Sequence, residues 1–275
     1  MFRAAQQADW PALEELFVTA FGGPASFARS VLADFAGPEN VFLAQGQAGP
    51  GALLCAVPVT LAGRPGAYYY GLTTAPALRG QGVMTGLMDY ARRQLAQRGA
   101  AFAVLIPAGE SLFGFYAARG FEKAFEKRVV RRAVRNNLWA QADFDTITAN
   151  GLQTLRDRYA PRAVQLNQKG RVAVMTDLYS GGITTVCSPE GYGLYFKHQD
   201  RLRFIELFAE GDRAAEKLLE AARQKTGAEQ AVVELGAQQN LFLGEGTAKN
   251  YGMIQFFGPR FDVQDAYMRL MLDDE

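Results

Sequence analysis

Residues 68–88 read YYYGLTTAPALRGQGVMTGLM, in which an apolar aromatic run passes through Pro76 into a glycine-containing turn. After Gly82 the apolar residues recur at the spacing of one helical face: Val83, Leu87, Ala91 and Leu95. The pattern therefore predicts a strand, a turn and a helix that ends at Gly99. The first N–H groups of a helix have no partners within it and carry the positive end of its dipole, so such a turn is typical of an anion site.

The residues of the turn favour a phosphate as that anion. Gly80 and Gly82 have no side chain to keep a phosphate away from the backbone, and Arg79 adds a positive charge. A glycine and arginine turn alone is weak evidence, but its place between a strand and a helix strengthens it. The sequence therefore predicts a pyrophosphate cradle here.

The same segment resembles the acyl-CoA-binding signature of the GNAT superfamily of N-acyltransferases, (Q/R)-x-x-G-x-(G/A). Arg79 and Gly82 match it, and Met84 departs from the small residue expected at the third position. The wider run T-x-A-P-x-x-R-x-x-G is similar to that of acetyltransferases related to the mycobacterial enhanced-intracellular-survival group, which have two GNAT domains. The resemblance implies acetyl-CoA as co-substrate, a cradle reshaped by Met84, and these binding residues: Leu72, Thr73, Thr74, Arg79, Gly80, Gln81, Gly82, Val83 and Met84.

The chain is long enough for two domains, and its patterns repeat. The elements expected up to residue 130 follow the order β-α-α-β-β-β-α-β-α-β of a GNAT core, and polar sequence over 135–145 indicates a connection. A similar order follows, with a helix near 146–159, strands at 183–186, 192–197 and 202–208, a helix at 212–225 and a strand at 230–235. We therefore expect a mixed α/β fold of tandem GNAT-like domains, at 1–135 and 140–275.

The second copy lacks the cradle. Where its strand meets its helix, the chain reads Leu207-Phe208-Ala209-Glu210-Gly211-Asp212, which places two carboxylates at the mouth that a pyrophosphate needs. Asp212 is also expected to act as the helix N-cap and to occupy the amides that a phosphate requires. The N-terminal domain is therefore predicted to bind CoA, and the C-terminal domain to be degenerate.

Transfer of an acyl group to an amine requires an oxyanion donor, a proton for the departing sulfur and an acceptor for the amine proton. The resemblance assigns the first to a backbone N–H within Leu72–Thr74. It assigns the second to Tyr116, because FYAARGF at 115–121 resembles the family's F-Y-x-x-x-G-F segment. The alternative is that Tyr116 only packs in a core, since it shares a helical face with Phe113.

No side chain meets the third requirement directly. Many relatives place a glutamate on the central strand, where this chain has Tyr68, Tyr69 and Tyr70, which pack in a core or cage a cation. A water relay or a carboxylate of the second domain remains as proton acceptor. In the related group the C-terminal carboxylate takes this role, which makes Glu275 the second catalytic candidate.

Composition excludes several other chemistries. His198 is the sole histidine, which rules out a Ser-His-Asp triad and histidine-rich zinc sites, and Cys55 and Cys187 lack metal or disulfide spacing, so no metal is expected. The net charge is +1, and the basic run 127–135 is interspersed with valines, as in a strand with a solvated face. We expect no nucleic-acid partner, no membrane partner and a cytoplasmic location.

The leading hypothesis is an acetyl-CoA-dependent N-acetyltransferase acting on a primary amine of a small molecule or peptide. The runner-up is a non-catalytic protein that binds an acyl-CoA through the same fold. A third interpretation is an assembly module that forms a homo-oligomer through its second domain.

Overall fold

The computed structural model describes residues 1–46 and 49–272. Contacts divide the chain into two compact units. Unit 1 comprises Met1–Lys123, Gln165–Ala173 and Gly252–Val263; unit 2 comprises Ala124–Val164, Val174–Tyr251 and the described residues from 264 on. The predicted domains, 1–135 and 140–275, stay a prediction. The compact units have other bounds, because unit 1 includes two segments from later in the chain.

Both units contain strands and helices. The strands are β1 (Phe2–Ala4), β2 (Val41–Gln45), β3 (Pro50–Leu61), β4 (Arg64–Thr74), β5 (Phe102–Leu105), β6 (Glu122–Ala133), β7 (Asp143–Phe144), β8 (Gln165–Leu166), β9 (Thr184–Ser188), β10 (Gly191–His198), β11 (Arg201–Ala209), β12 (Gln230–Gly236) and β13 (Thr247–Phe256). The α-helices are α1 (Trp10–Phe21), α2 (Ala25–Ser30), α3 (Val83–Gln97), α4 (Glu110–Ala117), α5 (Ala149–Tyr159), α6 (Gln168–Ser180) and α7 (Asp212–Thr226). A π-helical segment, Val31–Ala36, continues α2. This mixed α/β composition confirms the predicted fold class.

The sheet of unit 1 has the order β1-β2-β3-β4-β5-β13. Neighbours from β1 to β4 are antiparallel, whereas β4 and β5 are parallel because α3 carries the chain back between them. The last strand, β13, is antiparallel to β5. Apolar residues of α3, Leu87, Ala91 and Leu95, lie in the core beside this sheet, as their spacing predicts.

The sheet of unit 2 repeats this plan in the order β7-β9-β10-β11-β12-β6. The strands from β7 to β11 are antiparallel, α7 connects β11 to the parallel strand β12, and β6 is antiparallel to β12. Gly211 rather than Asp212 is the N-cap of α7, and an Asp212 carboxylate oxygen instead accepts the N–H of Phe242 at 2.7 Å. The predicted N-cap role of Asp212 is therefore wrong, because a residue distant in sequence uses its carboxylate.

Each unit completes its sheet with a strand from the other half of the chain. β6 follows the helix α4 of unit 1 but pairs with β12 in unit 2, from Lys127 opposite Gly236 to Ala133 opposite Gln230. β13 follows β12 but pairs with β5 in unit 1, where Ile254 lies opposite Val104. The two units have thus exchanged their final strands.

The basic run on β6 has an additional structural role. Arg128 is buried, and its guanidinium donates to four backbone carbonyls at 2.6 to 3.0 Å, those of Gln239, Leu241, Phe242 and Glu245. The predicted strand is confirmed, and Arg131 on it is exposed, whereas Arg128 lies on a buried face. Through these hydrogen bonds Arg128 stabilises the conformation of the loop after β12.

We expect Ile254→Ala to destabilise unit 1 by about 2–5 kcal/mol, because Ile254 is fully buried against β5 and its removal leaves a cavity. Urea unfolding followed by the fluorescence of Trp10, in a Trp139→Phe background, measures the loss. Val172→Ala is the control, since that side chain is half exposed. Equal stability of the two variants would show that β13 does not support unit 1.

Candidate active site

The site begins where β4 separates from β5. The two strands pair only from Gly66 opposite Phe102 to Tyr68 opposite Val104. Further along, the pairing of β4 with β3 shifts register near Gly71, which has a φ of +63°. A Cβ at Gly71 would lie 2.9 Å from the Phe17 ring, so this bulge requires glycine. The last residues of β4 therefore present backbone groups that β5 does not use.

The turn after β4 is held by two of its own side chains. Nε of Arg79 donates to the carbonyl of Thr74 at 3.0 Å, and Nε2 of Gln81 donates to the carbonyl of Ala77 at 2.9 Å. Arg79 thus both braces the turn and keeps its charge at the exposed surface.

The helix α3 then begins without a side-chain cap. Gly82 is its N-cap with a φ of +76°, and the first turn contains no acidic residue. A Cβ at Gly80 or Gly82 would meet no protein atom within 4 Å, so the space in front of the turn is open. An uncapped helix start beside an open surface has the geometry and partial charge that an anion requires. The assignment of these residues to CoA stays a prediction.

The predicted acid lies in the same apolar cluster as the cradle. Tyr116 is 8% exposed, and Leu72, Val83 and Met84 pack against the cluster that contains it. Tyr116 and three of the predicted binding residues are therefore part of one apolar cluster. The Met84 side chain contacts this cluster, so its bulk lies at least partly in the interior rather than over the turn.

The surroundings of Tyr116 keep its hydroxyl protonated. Burial raises the pKa of this phenol, and the nearby charge of Arg119 offsets only part of the increase. Its ring lies 5.2 Å from Phe115 and 6.0 Å from Phe121, centroid to centroid. A phenol in this state has a proton to give but is not ionised at rest.

Arg119 is a further candidate residue, which the sequence reasoning missed. Its Nε and Nη2 atoms donate to the hydroxyl of Thr85 at 2.9 and 2.7 Å, and its guanidinium lies 3.4 Å from the Phe115 ring centroid. Thr85 is the third residue of α3, so a second cation stands at the helix start. The only available signal was an arginine inside the FYAARGF segment.

The remaining candidates are less informative. Leu72–Thr74 ends β4, as predicted, and Glu275 lies outside the described residues. The Tyr69 hydroxyl is buried without a hydrogen-bond partner in the described part of the chain, and burial raises its pKa. Tyr70 packs edge-to-face on Phe35, at 5.6 Å between ring centroids. The tyrosines on β4 therefore contribute to packing.

The structure also gives the surroundings of the thiol and the histidine considered above, and it can be searched for metal-ligand clusters and membrane-spanning helices. Burial raises the pKa of the Cys55 thiol to about 12, which makes it unreactive, and His198 is exposed at the end of β10. Within residues 1–46 and 49–272, no group of three or more His, Cys, Asp or Glu side chains could hold a metal ion. Over the same residues, no single helix has the length and apolarity to cross a membrane, though the bent pair Gln7–Phe21 and Ala25–Ala36 passes that test together.

Comparison with known proteins identifies a domain in the first part of the chain. Residues 1–124 match the family model described as acetyltransferase (GNAT) domain. No significant match is found among curated proteins.

Solved structures share the fold over nearly the whole chain. A GCN5-related N-acetyltransferase from Anabaena variabilis has a TM-score of 0.73 and 16% identity, over 94% of this chain and 73% of that one. Eis1 from Mycobacterium abscessus has a TM-score of 0.65 and 14% identity, over 94% and 74%. A tandem GNAT protein from the clavulanic acid biosynthesis pathway has a TM-score of 0.56 and 14% identity, over 95% and 99%. The chain thus carries a match to an acetyltransferase (GNAT) domain over residues 1–124, and its fold as a whole is that of solved GCN5-related N-acetyltransferases.

Proposed function

We propose that this chain is an acetyl-CoA-dependent N-acetyltransferase that modifies a primary amine of a small molecule or peptide. The observation that carries the proposal is the uncapped start of α3, which follows two glycines in an open turn at the end of a strand that leaves its neighbour. Pyrophosphate fits the turn, and the pantetheine arm fits the backbone at the end of β4 that β5 leaves unpaired. Arg79 and Arg119 supply positive charge.

The groups around this turn have separate roles in the proposed reaction. The amine nitrogen attacks the thioester carbonyl carbon, and a backbone N–H within Leu72–Thr74 stabilises the resulting oxyanion. As the carbon–sulfur bond breaks, Tyr116 gives its proton to the leaving thiolate. The amine proton passes to water, to a carboxylate or to the Glu275 terminus, and the phenol regains a proton from solvent.

We also propose that unit 2 binds no CoA. β11 and β12 pair only as far as Phe204 opposite Val233, but the side chain of Gln239 spans the gap beyond. It donates to the carbonyl of Leu207 at 2.8 Å and accepts the N–H of Gly236 at 2.6 Å. These are the backbone groups that a pantetheine arm would need, and unit 2 already satisfies them.

The runner-up, an acyl-CoA-binding protein without turnover, is favoured by the replacement of a small residue by Met84 and by the lack of an obvious side chain to accept the amine proton. A screen of primary amines with acetyl-CoA, read out as release of free CoA thiol, separates the two functions. Acetylation of any amine class supports the enzyme. Binding of one acetyl-CoA per chain by calorimetry, with no release across the screen, supports the runner-up, and absence of binding contradicts both.

We expect Arg119→Ala to weaken acetyl-CoA binding about three- to tenfold, because it removes a charge from the first turn of α3. Calorimetry at two salt concentrations measures it, and the variant should show a smaller salt dependence. Arg93→Ala, on the exposed surface of the same helix, is the matched control. Equal affinities for the two variants would show that Arg119 does not contribute to acetyl-CoA binding and only forms a structural contact with Thr85.

A further inference from the structure

A cavity of about 400 Å³ lies within unit 2, beside the junction of β11 and α7. This junction corresponds by its strand, turn and helix order to the cradle of unit 1. The cavity is lined by the end of α5, the end of β11, the loop after β12 and the described C-terminal segment. Its size suits a small organic molecule.

Aromatic rings form one part of the cavity wall. The centroid of the Phe208 ring is 6.4 Å from that of Tyr159 and 5.1 Å from that of Tyr267. The Tyr267 hydroxyl bonds Glu206 at 3.0 Å, whereas the Tyr159 hydroxyl is buried without a partner among the described residues. The wall thus offers aromatic rings, while the Tyr159 hydroxyl itself lies beneath the surface.

Carboxylates of the lining can pair with a cation. Glu210 and Asp265 line the cavity together with the guanidinium of Arg162, and Glu210 is paired with Arg158 from outside the lining. Aromatic faces and carboxylates together attract organic cations, because the ring quadrupole adds to the ion pairing.

A side chain of the protein already shows this recognition. The guanidinium of Arg158 lies 4.8 Å from the Tyr159 ring centroid, and its Nη2 is 2.6 Å from a Glu210 carboxylate oxygen. Both side chains of this pair are more than half exposed, so solvent screens it and displacement costs little. Arg158 therefore acts as an internal competitor for an incoming cation.

We propose that this cavity binds a small organic cation, an ammonium or guanidinium group on an apolar body, with the charge at Glu210 and the body against Phe208 and Tyr159. The proposal does not depend on the acetyltransferase function. Cation binding here needs no acetyl-CoA.

Benzyltrimethylammonium is a suitable probe, because it has no N–H group and cannot be acetylated. Ligand-observed NMR titration of the full chain should show that it binds at least about tenfold more tightly than benzyl alcohol, which keeps the ring but lacks the charge. Equal affinity for the two probes, or no binding of the cation, would overturn the proposal.

Two exposed substitutions should act in opposite directions. Glu210→Gln should weaken binding of the probe roughly three- to tenfold, and Arg158→Ala should tighten it by a similar factor because the competitor is gone. Glu229→Gln, which neutralises an exposed carboxylate paired with Arg223, should change nothing. The assignment is wrong if Arg158→Ala leaves affinity unchanged or lowers it, or if Glu229→Gln weakens binding as much as Glu210→Gln does.

Discussion

Gly82→Glu should abolish acetyl-CoA binding in calorimetry. The substituted side chain would enter the open space before α3, where it adds bulk and places a negative charge against the phosphates. We expect a loss of at least about a hundredfold, because the new carboxylate also competes for the helix N–H groups.

Gly99→Glu is the matched control for this experiment. Gly99 follows the same helix and has a φ of +91°, and a Cβ at this position would also meet no atom within 4 Å, so the backbone strain is comparable. It lies at the opposite end of α3 from the turn. Unchanged affinity in a folded Gly82→Glu protein, or equal loss in both variants, would remove the cradle from the proposed function.

Tyr116→Phe should lower turnover by about 10² to 10⁴ fold while acetyl-CoA affinity stays nearly constant, since proton donation matters only as the thiolate leaves. Steady-state kinetics with an amine from the screen, paired with calorimetry, measures both quantities. Because burial raises the pKa of Tyr116, the phenol should keep its proton throughout the neutral pH range.

Tyr90→Phe removes a hydroxyl from another ring packed on the same apolar cluster and serves as the control. If Tyr116→Phe melts early but retains full turnover per folded molecule, the residue only packs. Turnover lost equally in both variants would point to disturbance of the cluster rather than to a missing proton.

Local sequence patterns predicted much of this molecule. Regular spacing of apolar residues located α3, and the repeated order of strands and helices placed α7. The strand, turn and helix of the cradle could be predicted for the same reason, because they are contiguous in the chain. Tyr116 could be placed near it only through the family resemblance.

The elements that were missed depend on distant partners or have weak local signals. α6 has Gly170 in its first turn and the β-branched residues Val172 and Val174, which disfavour a helix in isolation. The first residues of β13 are exposed. Its buried residues, such as Ile254, pair with β5, which is distant in sequence, so no local pattern indicates the strand. The contact between Arg119 and Thr85 likewise joins two turns that are separate in sequence.

The exchanged strands affect how the protein is made. When a ribosome has released residues 1–123, the growing chain has β5 but not the β13 segment that flanks it, and that segment is synthesised only after β12. Until β13 is synthesised, the β5 edge of the first half lacks this partner strand, and an unpaired strand edge is prone to association with other chains. A gene fragment that ends near residue 135 would carry β6 without its partner β12 and lack β13 altogether, so biosynthesis of this protein is complete only when both halves are present.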